Sequence, residues 1–240
     1  MKVLVFKSYE ELSKAAADMV AKQVKEKTNS ILGLATGSSP VGMYKELVKM
    51  YKNGEVDFSK VVSYNLDEYC GLGADSDQSY RYFMQENLFN ETNFKETFVP
   101  NGLAKDFNVE CERYEKMMES AGYVDLQVLG IGGNAHIGFN EPADHFALNT
   151  QLVNLTKETI DANARFFASA SDVPTKAITM GIGTIFKSKK IILVASGKGK
   201  QEAIFATVKG KITPNAPSSI LQLHPDVTIL IDEDAAGLIK

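Results

Sequence analysis

An asparagine, a histidine and a glutamate occur close together, directly after an apolar stretch of the chain. Residues 126–142 read LQVLGIGGNAHIGFNEP, in which Asn134, His136 and Glu141 follow a run of glycines. A carboxylate bonded to one ring nitrogen of a histidine fixes the tautomer and makes the other nitrogen a better base. Because a buried core does not need polar, titratable groups at the end of an apolar strand, we interpret this stretch as half of an active site.

A second acidic group follows another apolar stretch. Residues 61–65 predict a strand, and Leu66, Asp67 and Glu68 come directly after it. Asp67 is the candidate for a separate acid or base that faces the substrate from a neighbouring loop. The alternative is an ordinary Asx turn, in which the carboxylate bonds only its own backbone.

Two glycine-containing loops have the composition of an anion site. The first is Thr36-Gly37-Ser38-Ser39-Pro40, and the second is Ser196-Gly197-Lys198-Gly199-Lys200; each joins a predicted strand to a predicted helix. Backbone N–H groups at the start of a helix, together with hydroxyl groups, bind phosphate, and cations add charge-assisted bonds. We predict that residues 36–39, Lys200 and Arg165 hold one phosphate group.

Simpler interpretations exist for each of these glycine-containing segments. Ser39 before Pro40 is suited to cap the following helix, and lysines in a short turn are commonly solvated. Residues 130–135 fit the dinucleotide pattern G-x-G-x-x-A, but Pro142 interrupts any helix after them. The acidic ribose-binding residue that the pattern requires is also missing, because positions 146–157 contain no Asp or Glu. These glycines are therefore interpreted as clearance for a small substrate.

Other titratable residues are expected to be structural. His224 stands in an apolar segment before Pro225, and no positive group flanks Cys70 to lower the pKa of its thiol. The spacings H-x-x-x-H, H-x-H and C-x-x-C, which are typical of metal sites, do not occur in the sequence. We expect neither a metal nor a cofactor.

Apolar strands alternate with amphipathic helices along the chain. Strands are predicted at 3–6, 31–35, 61–65, 126–130, 177–180, 191–195 and 227–231, and helices at 8–27, 40–51, 80–89 and 109–121. This order predicts an α/β fold with an open, mostly parallel, Rossmann-like sheet and helices on both faces. The loops that follow residues 35, 65, 130 and 195 then share one edge of the sheet, where ligands bind. Residues 148–175, whose apolar positions follow no clean period, are a candidate lid.

Length and composition indicate one soluble α/β domain over residues 1–240. Hydrophobic residues make up 44% of the chain, which is typical of globular proteins, and the formal net charge is −4. Without a basic patch, we expect no nucleic-acid partner, and without a long apolar run, no membrane partner. A cytoplasmic location with reduced thiols follows as an expectation.

Taken together, these motifs resemble the glucosamine-6-phosphate deaminase family. The matching segments run through nearly the whole chain: LATGSSP at 34–40, NLDEY at 65–69, GIGGNAHIGFNEP at 130–142, NARFF at 163–167 and LQLHP at 221–225. The combination of HIGFNEP with DEY separates this family from its fold relatives, the 6-phosphogluconolactonases, which share the glycine-rich loop and a similarly placed histidine but not FNEP.

The resemblance implies the conversion of glucosamine 6-phosphate and water to fructose 6-phosphate and ammonia, without a cofactor. When the roles known for the family are assigned to the matching residues, His136 opens the pyranose ring, and Glu141 and Asn134 assist and orient it. Asp67 takes the C2 proton and returns it at C1, and the resulting imine is hydrolysed at C2. The phosphate-binding residues that the resemblance implies are Ser38, Ser39, Arg165 and Lys200.

The sequence departs from the larger enterobacterial-type members of that family in three ways. Asn134 stands where those members carry Asp, although other short members also carry Asn. Gln151 and Val153 replace the arginine and lysine with which those members bind allosteric N-acetylglucosamine 6-phosphate, and the chain stops at Lys240 without their longer tail. The resemblance therefore implies a non-allosteric monomer.

Two rival functions are compatible with the same fold. One is a 6-phosphogluconolactonase or a sugar-phosphate isomerase. The other is a sugar-phosphate-binding regulator without turnover, although such a regulator usually carries a DNA-binding helix pair, for which the chain has no spare segment. In each case the partner is a small phosphorylated molecule.

Overall fold

The computed structural model describes residues 1–164, 167, 169 and 172–239. Its strands are β1 (Lys2–Phe6), β2 (Ile31–Leu34), β3 (Val62–Asn65), β4 (Asp67–Tyr69), β5 (Glu96–Phe98), β6 (Leu126–Leu129), β7 (Gln151–Asn154), β8 (Lys176–Thr179), β9 (Lys190–Ala195) and β10 (Val227–Asp232). Its α-helices are α1 (Tyr9–Glu26), α2 (Val41–Lys52), α3 (Tyr80–Asn87), α4 (Phe107–Ser120), α5 (Lys157–Asn163), α6 (Ile182–Phe186) and α7 (Gln201–Val208). Within these ranges no helix is both long enough and apolar enough to cross a lipid bilayer.

The larger sheet confirms the predicted open, parallel architecture. Seven strands pair in the order β1-β10-β9-β6-β2-β3-β5, and each neighbouring pair is parallel. The strands β9, β6, β2 and β3 are consecutive in this order, so their carboxyl ends lie side by side. The four loops that the sequence predicted to share one edge of the sheet therefore do share it.

Helices cover both faces of this sheet because its strands are apolar on both sides. On one face, α1, α2 and α3 pack against inward side chains such as Leu34 and Val128. On the other, α4, α6 and α7 pack against the alternate set, which includes Leu129 and Leu193. Helix α1 begins as its sequence predicts, since the hydroxyl of Ser8 accepts the backbone N–H of Glu11 at 3.3 Å.

A second, smaller sheet was not predicted. Strands β4, β8 and β7 form it in the order β4-β8-β7, with antiparallel pairing that places Thr179 opposite both Asp67 and Gln151. The interpretation of Asp67 as an Asx-turn residue is therefore wrong, because this residue begins β4. Strand β7 lies in the candidate lid, where the sequence showed no period, and β5 was missed because only three residues form it.

Ser39 does not cap α2, contrary to the simpler interpretation of its loop. The helix begins at Val41 after Pro40, and no side chain of the preceding loop bonds its first N–H groups. Instead, the hydroxyl of Tyr9, the first residue of α1, accepts the backbone N–H of Gly42 at 2.8 Å.

Asp125 joins three elements at the amino end of the sheet. Its buried carboxylate lies 2.6 Å from the ammonium nitrogen of Lys27 and 2.7 Å from that of Lys189. It also accepts the backbone N–H of Ile31 at 2.8 Å, where β2 begins. Burial opposes ionisation of this carboxyl, but the two lysines and the backbone bond outweigh burial and lower its pKa.

We expect Asp125→Asn to lower the free energy of unfolding at neutral pH by roughly 1.5–3 kcal/mol, the range for hydrogen bonds to charged groups. Because the folded-state pKa lies below the unfolded value, this stabilisation is present above about pH 4 and disappears as the pH falls through the folded-state pKa. Urea unfolding at neutral and acidic pH measures both effects.

The exposed residue Asp18, which forms no ion pair with another described residue, provides the control Asp18→Asn. A loss of stability in Asp125→Asn that persists unchanged at acidic pH would contradict the electrostatic account.

Candidate active site

A cavity of about 240 Å³ lies at the carboxyl edge of the larger sheet. The loops after β2, β3 and β6 form most of its wall, and α5 and the short helical turn before α7 complete it. Its lining residues are Ala35, Thr36, Gly37, Ser38, Ser39, Leu66, Asp67, Tyr80, Gly130, Ile131, Gly132, Gly133, His136, Gly138, Phe139, Thr159, Asn163 and Lys200. The structure thus brings Asp67, His136 and most of the predicted phosphate-binding residues to one cavity.

One side of the cavity presents backbone amides, hydroxyls and a cation. The loop of residues 36–39 turns at Gly37, whose φ of +88° is a conformation that glycine adopts without strain. None of its four backbone N–H groups has an acceptor in the described part of the chain. The ammonium group of Lys200 donates to the carbonyl oxygen of Ile131 at 2.6 Å. This side has the groups that a phosphate requires.

Arg165, the other predicted phosphate ligand, lies outside the described residues. The neighbouring helix α5 is described, and its residues Thr159 and Asn163 line the cavity. Part of the predicted lid, residues 148–175, therefore contributes directly to the wall.

His136 lines the same cavity and forms a pair with Glu141. The ring Nδ1 of His136 lies 3.2 Å from Oε2 of Glu141, and the amide of Asn134 donates to the same oxygen at 2.7 Å. Asn134 also accepts the backbone N–H of His136 at 3.2 Å, so it contacts both partners. Burial opposes ionisation of Glu141, but the bonds from His136, Thr159 and Asn134 lower its pKa to about 2. An ionised Glu141 stabilises positive charge on the imidazole.

Thr159 is a member of this group that the sequence did not reveal. Its hydroxyl donates to Oε1 of Glu141 and accepts the hydroxyl of Thr156 at 3.2 Å. Thr156 caps α5 by accepting the backbone N–H of Thr159. The capping pattern T-x-x-T was a visible signal for the start of a helix, but nothing local indicated that the helix meets a carboxylate 18 residues earlier.

Two glycines allow the candidate catalytic side chains to approach the backbone. A Cβ added at Gly132 would lie 2.2–2.4 Å from the ring atoms of His136, so the imidazole packs directly on this residue. Gly138 has a φ of +57°, and a Cβ there would lie 2.8 Å from the hydroxyl of Thr179 and 3.5 Å from a carboxylate oxygen of Asp67. The interpretation of these glycines as clearance therefore extends to the site's own side chains.

Asp67 and Glu68 are adjacent, buried carboxyl groups with different surroundings. Glu68 accepts backbone N–H groups from Tyr69, Tyr80 and Arg81, each at 2.9 Å, and the last two begin α3, where negative charge is favoured. No described donor bonds the carboxyl of Asp67. Burial, reinforced by the charge of Glu68, raises the pKa of Asp67 to about 8. Asp67 is thus a carboxyl whose proton equilibrium lies in the range of general acid–base catalysis.

Aromatic side chains enclose the Asp67 side of the cavity. The ring of Tyr80 stacks on that of Phe139 with centroids 6.0 Å apart, and it lies 4.7 Å from the ring of Tyr69. Sequence reasoning missed Tyr80 because its only local signal was the preceding helix cap, Ser79.

The remaining candidates have structural environments. Burial raises the pKa of the Cys70 thiol to about 11, which makes it a poor nucleophile at neutral pH. The ring of buried His224 bonds the carbonyl oxygen of Ser188 at 2.8 Å. Residues 130–136 form a turn and open no helix, as the rejection of a dinucleotide motif required. Among the described residues, no group of three or more His, Cys, Asp or Glu side chains is arranged to hold a metal ion.

Comparison with known proteins gives a consistent set of relatives. Residues 7–230 match the family model described as glucosamine-6-phosphate isomerases/6-phosphogluconolactonase. A glucosamine-6-phosphate deaminase of Thermoanaerobacter pseudethanolicus is 58% identical over 241 residues, covering 100% of this chain and 95% of the relative. One of Clostridioides difficile is 59% identical over 239 residues, covering 99% and 96%.

Solved structures separate two levels of similarity. A monomeric glucosamine-6-phosphate deaminase aligns with a TM-score of 0.97 at 47% identity, covering 99% of this chain and 100% of the other. A 6-phosphogluconolactonase from Trypanosoma cruzi aligns with a TM-score of 0.77 at 17% identity, covering 98% and 96%. The second similarity indicates a common fold alone.

We expect Asp67→Asn to stabilise the protein, increasingly so with pH. Because the folded-state pKa of Asp67 is about 8 and its ordinary value is 3.8, wild-type stability falls between these pH values as the unfolded chain ionises first. The variant lacks this loss, so its advantage in free energy of unfolding should grow by about 1.4 kcal/mol for each pH unit between about pH 4 and pH 8. Urea unfolding across this range measures it.

The control is Asp77→Asn, which changes an exposed aspartate in the loop before α3. An advantage of Asp67→Asn that does not vary with pH would show that Asp67 ionises normally in the folded protein.

Proposed function

Because the chain belongs to the family of glucosamine-6-phosphate isomerases and 6-phosphogluconolactonases, we propose that it converts glucosamine 6-phosphate and water to fructose 6-phosphate and ammonia. The observation that carries this proposal is the set of groups that line one cavity: His136, which pairs with Glu141, the buried carboxyl of Asp67, and the 36–39 loop with Lys200 as an anion site. Isomerisation with deamination needs two proton-transfer groups with separate duties.

Ring opening is the task of His136. Its Nδ1 faces ionised Glu141, which leaves Nε2 to take the proton of the anomeric hydroxyl and deliver it to the ring oxygen as the C1–O5 bond breaks. Glu141 stabilises the imidazolium that forms between these two transfers. Asn134 and Thr159, which donate to opposite oxygens of Glu141, fix the orientation of this carboxylate.

Proton transfer from C2 to C1 is the task of Asp67. In the open-chain aldehyde the C2 proton is acidic, and removing it gives an enolamine. Return of the proton at C1 produces an imine at C2, which water hydrolyses to the ketone with release of ammonia. A carboxyl with a raised pKa is a stronger base once ionised, and a positively charged amino group of the substrate favours that ionised form.

In this proposal, the 36–39 loop and Lys200 hold the phosphate of the substrate. The free amides of residues 36–39, the hydroxyls of Ser38 and Ser39, and the ammonium group of Lys200 are the groups that bind it. Arg165 completes the set in our proposal, which rests for this residue on the match of NARFF to the family. Holding the phosphate fixes C1 and C2 between His136 and Asp67 and so lowers the entropic cost of reaction.

Deamination is favoured over lactone hydrolysis by the level of similarity. The curated relatives at 58–59% identity are glucosamine-6-phosphate deaminases, whereas the lactonase structure is 17% identical. A lactonase also has no use for a carboxyl base placed to move a carbon-bound proton. A regulator without turnover would not require one either.

The proposal also covers the domain organisation, the oligomeric state, the cellular location and the kinetics of the protein. We infer that residues 1–240 act as one domain and as a monomer, supported by the similarity to a monomeric deaminase. A cytoplasmic location is supported by the free state of Cys70 and Cys111. Gln151 and Val153, which replace the effector-binding arginine and lysine of larger relatives, support hyperbolic kinetics without an effector.

The purified protein should release ammonia and fructose 6-phosphate in equal amounts from glucosamine 6-phosphate. An enzyme-coupled ammonia assay measures the first product. Asp67→Asn should lose most of this activity, on the order of 10²–10⁴-fold for a missing general base, and should not exchange the C2 proton with deuterated water.

Two outcomes separate the rivals. Hydrolysis of 6-phosphogluconolactone without ammonia release would support the lactonase instead. Normal C2 exchange by Asp67→Asn would leave the reaction in place but remove Asp67 from the role of base.

Gly132→Ala should lower kcat on the order of 10²-fold, because the added methyl group displaces the His136 ring. The matched variant is Gly133→Ala, which adds the same group one residue later, where no described residue other than the chain neighbours comes within 4 Å of it. Steady-state kinetics of both variants measure the difference. Equal losses in the two variants would show that backbone flexibility, and not the position of His136, limits the rate.

A further inference from the structure

Tyr9 contacts the 36–39 loop from α1, and not from the helix α2 that follows the loop. It is the first residue of α1, and its hydroxyl donates to the carbonyl oxygens of Ser38 at 2.9 Å and Ser39 at 3.0 Å. The same hydroxyl accepts the N–H of Gly42 at 2.8 Å. One phenol oxygen therefore bonds both the second half of the loop and the first turn of α2.

These bonds fix the direction of the loop amides. In a trans peptide unit, the carbonyl oxygen and the following N–H group point in opposite directions. Because the carbonyl of Ser38 faces Tyr9, the N–H of Ser39 faces away from it. Tyr44 acts in the same way at the start of the loop: its hydroxyl donates to the carbonyl oxygen of Ala35 at 2.5 Å, which turns the N–H of Thr36 away from α2.

Tyr9 also takes over the role of a helix cap. No residue of the loop caps α2 with its side chain, although a serine directly before Pro40 is suited to that role. With Gly42 bonded to Tyr9, the hydroxyl of Ser39 has no capping duty. Ser38 and Ser39, both of which line the cavity, thereby keep their hydroxyls for a ligand.

The packing around Gly42 lets the phenol ring come this close. A Cβ at this position would lie 3.0 Å from Cε1 of Tyr9 and 2.3 Å from the hydroxyl oxygen of Ser13. Ser13 is buried on the face of α1 that contacts α2. The half-buried contact between Tyr9 and the loop therefore adjoins the packing of the two helices.

We propose that Tyr9 is a positioning residue for phosphate binding, which holds the 36–39 loop with its N–H groups and hydroxyls directed to the cavity. This inference rests on the proposed function, because the anion is the phosphate of the sugar substrate. Without the Tyr9 hydroxyl, the Ser38–Ser39 peptide is free to rotate and to present a carbonyl oxygen where the phosphate binds. The residue does not touch the reacting carbons, so its loss affects binding and not the chemical steps.

Tyr9→Phe should raise KM for glucosamine 6-phosphate about three- to tenfold, as expected for one lost hydrogen-bond group, and change kcat by no more than about twofold. Inorganic phosphate, used as a probe of the anion site, should bind the variant more weakly by a similar factor. An NMR titration that follows the amide of Gly37 measures this binding without turnover.

The control is Tyr51→Phe, which removes a hydroxyl without a described hydrogen bond from the far end of α2. It should leave KM and phosphate affinity unchanged. A purely structural role for Tyr9 would lower the unfolding temperature and leave both constants as in the wild type, which would overturn the proposal.

The two proposals fail in different ways. If the wild type releases no ammonia, the proposed reaction is wrong, and the phosphate titration of Tyr9→Phe still decides the role of Tyr9. If the wild type is active and Tyr9→Phe binds phosphate and substrate normally, the reaction stands and the role of Tyr9 is rejected.

Discussion

The parallel pairing of β9, β6, β2 and β3 is the constraint on which the site depends. Parallel strands that are neighbours deliver their following loops to the same edge, whatever their separation in sequence. The pairing of Gly33 with both Tyr64 and Gln127 fixes the register of β2 against β3 and β6. This pairing holds the 36–39 loop, Asp67 and His136 at the ends of rigid, buried elements. Acid–base chemistry at two adjacent carbons requires such fixed positions.

A change of sheet after β3 gives Asp67 its unusual environment. The chain leaves the parallel sheet at Asn65 and, after Leu66, enters the antiparallel sheet at Asp67 itself. Both sheets therefore bury this residue, and its carboxyl finds no donor among the described residues. Its neighbour Glu68 points the other way and receives three backbone N–H bonds. Two adjacent carboxyl groups of similar chemistry thus acquire different duties, because one lines the cavity without a described hydrogen-bond donor and the other organises the start of α3.

The sequence predicted those site residues that lie next to each other in the chain or directly after an apolar strand. His136, Asn134 and Glu141 lie within one loop, and Asp67 follows an apolar strand, so residue type and strand alternation were sufficient. The sheet order places the loops, but side chains that arrive from elsewhere carry no local signal. Thr159 reaches the site from α5. Tyr9 reaches the 36–39 loop from α1, and it lies 29 residues before its hydrogen-bond partner Ser38. Strands β4 and β7 were missed because they are short and carry at most two apolar residues each, whereas the four-residue strands β2 and β6 carry three.

The close packing of α1 on α2 has a consequence for how this protein can vary. Position 42 has room only for a hydrogen atom, because its neighbours across the helix interface are Ser13 and Tyr9. A larger residue at position 42 needs smaller residues at positions 9 and 13. A smaller residue at position 9, however, removes the hydroxyl that bonds the 36–39 loop. These three positions are therefore expected to change together or not at all, although none of them contacts the substrate. Under the proposed role of Tyr9, phosphate binding thus restricts which mutations this distant helix interface tolerates.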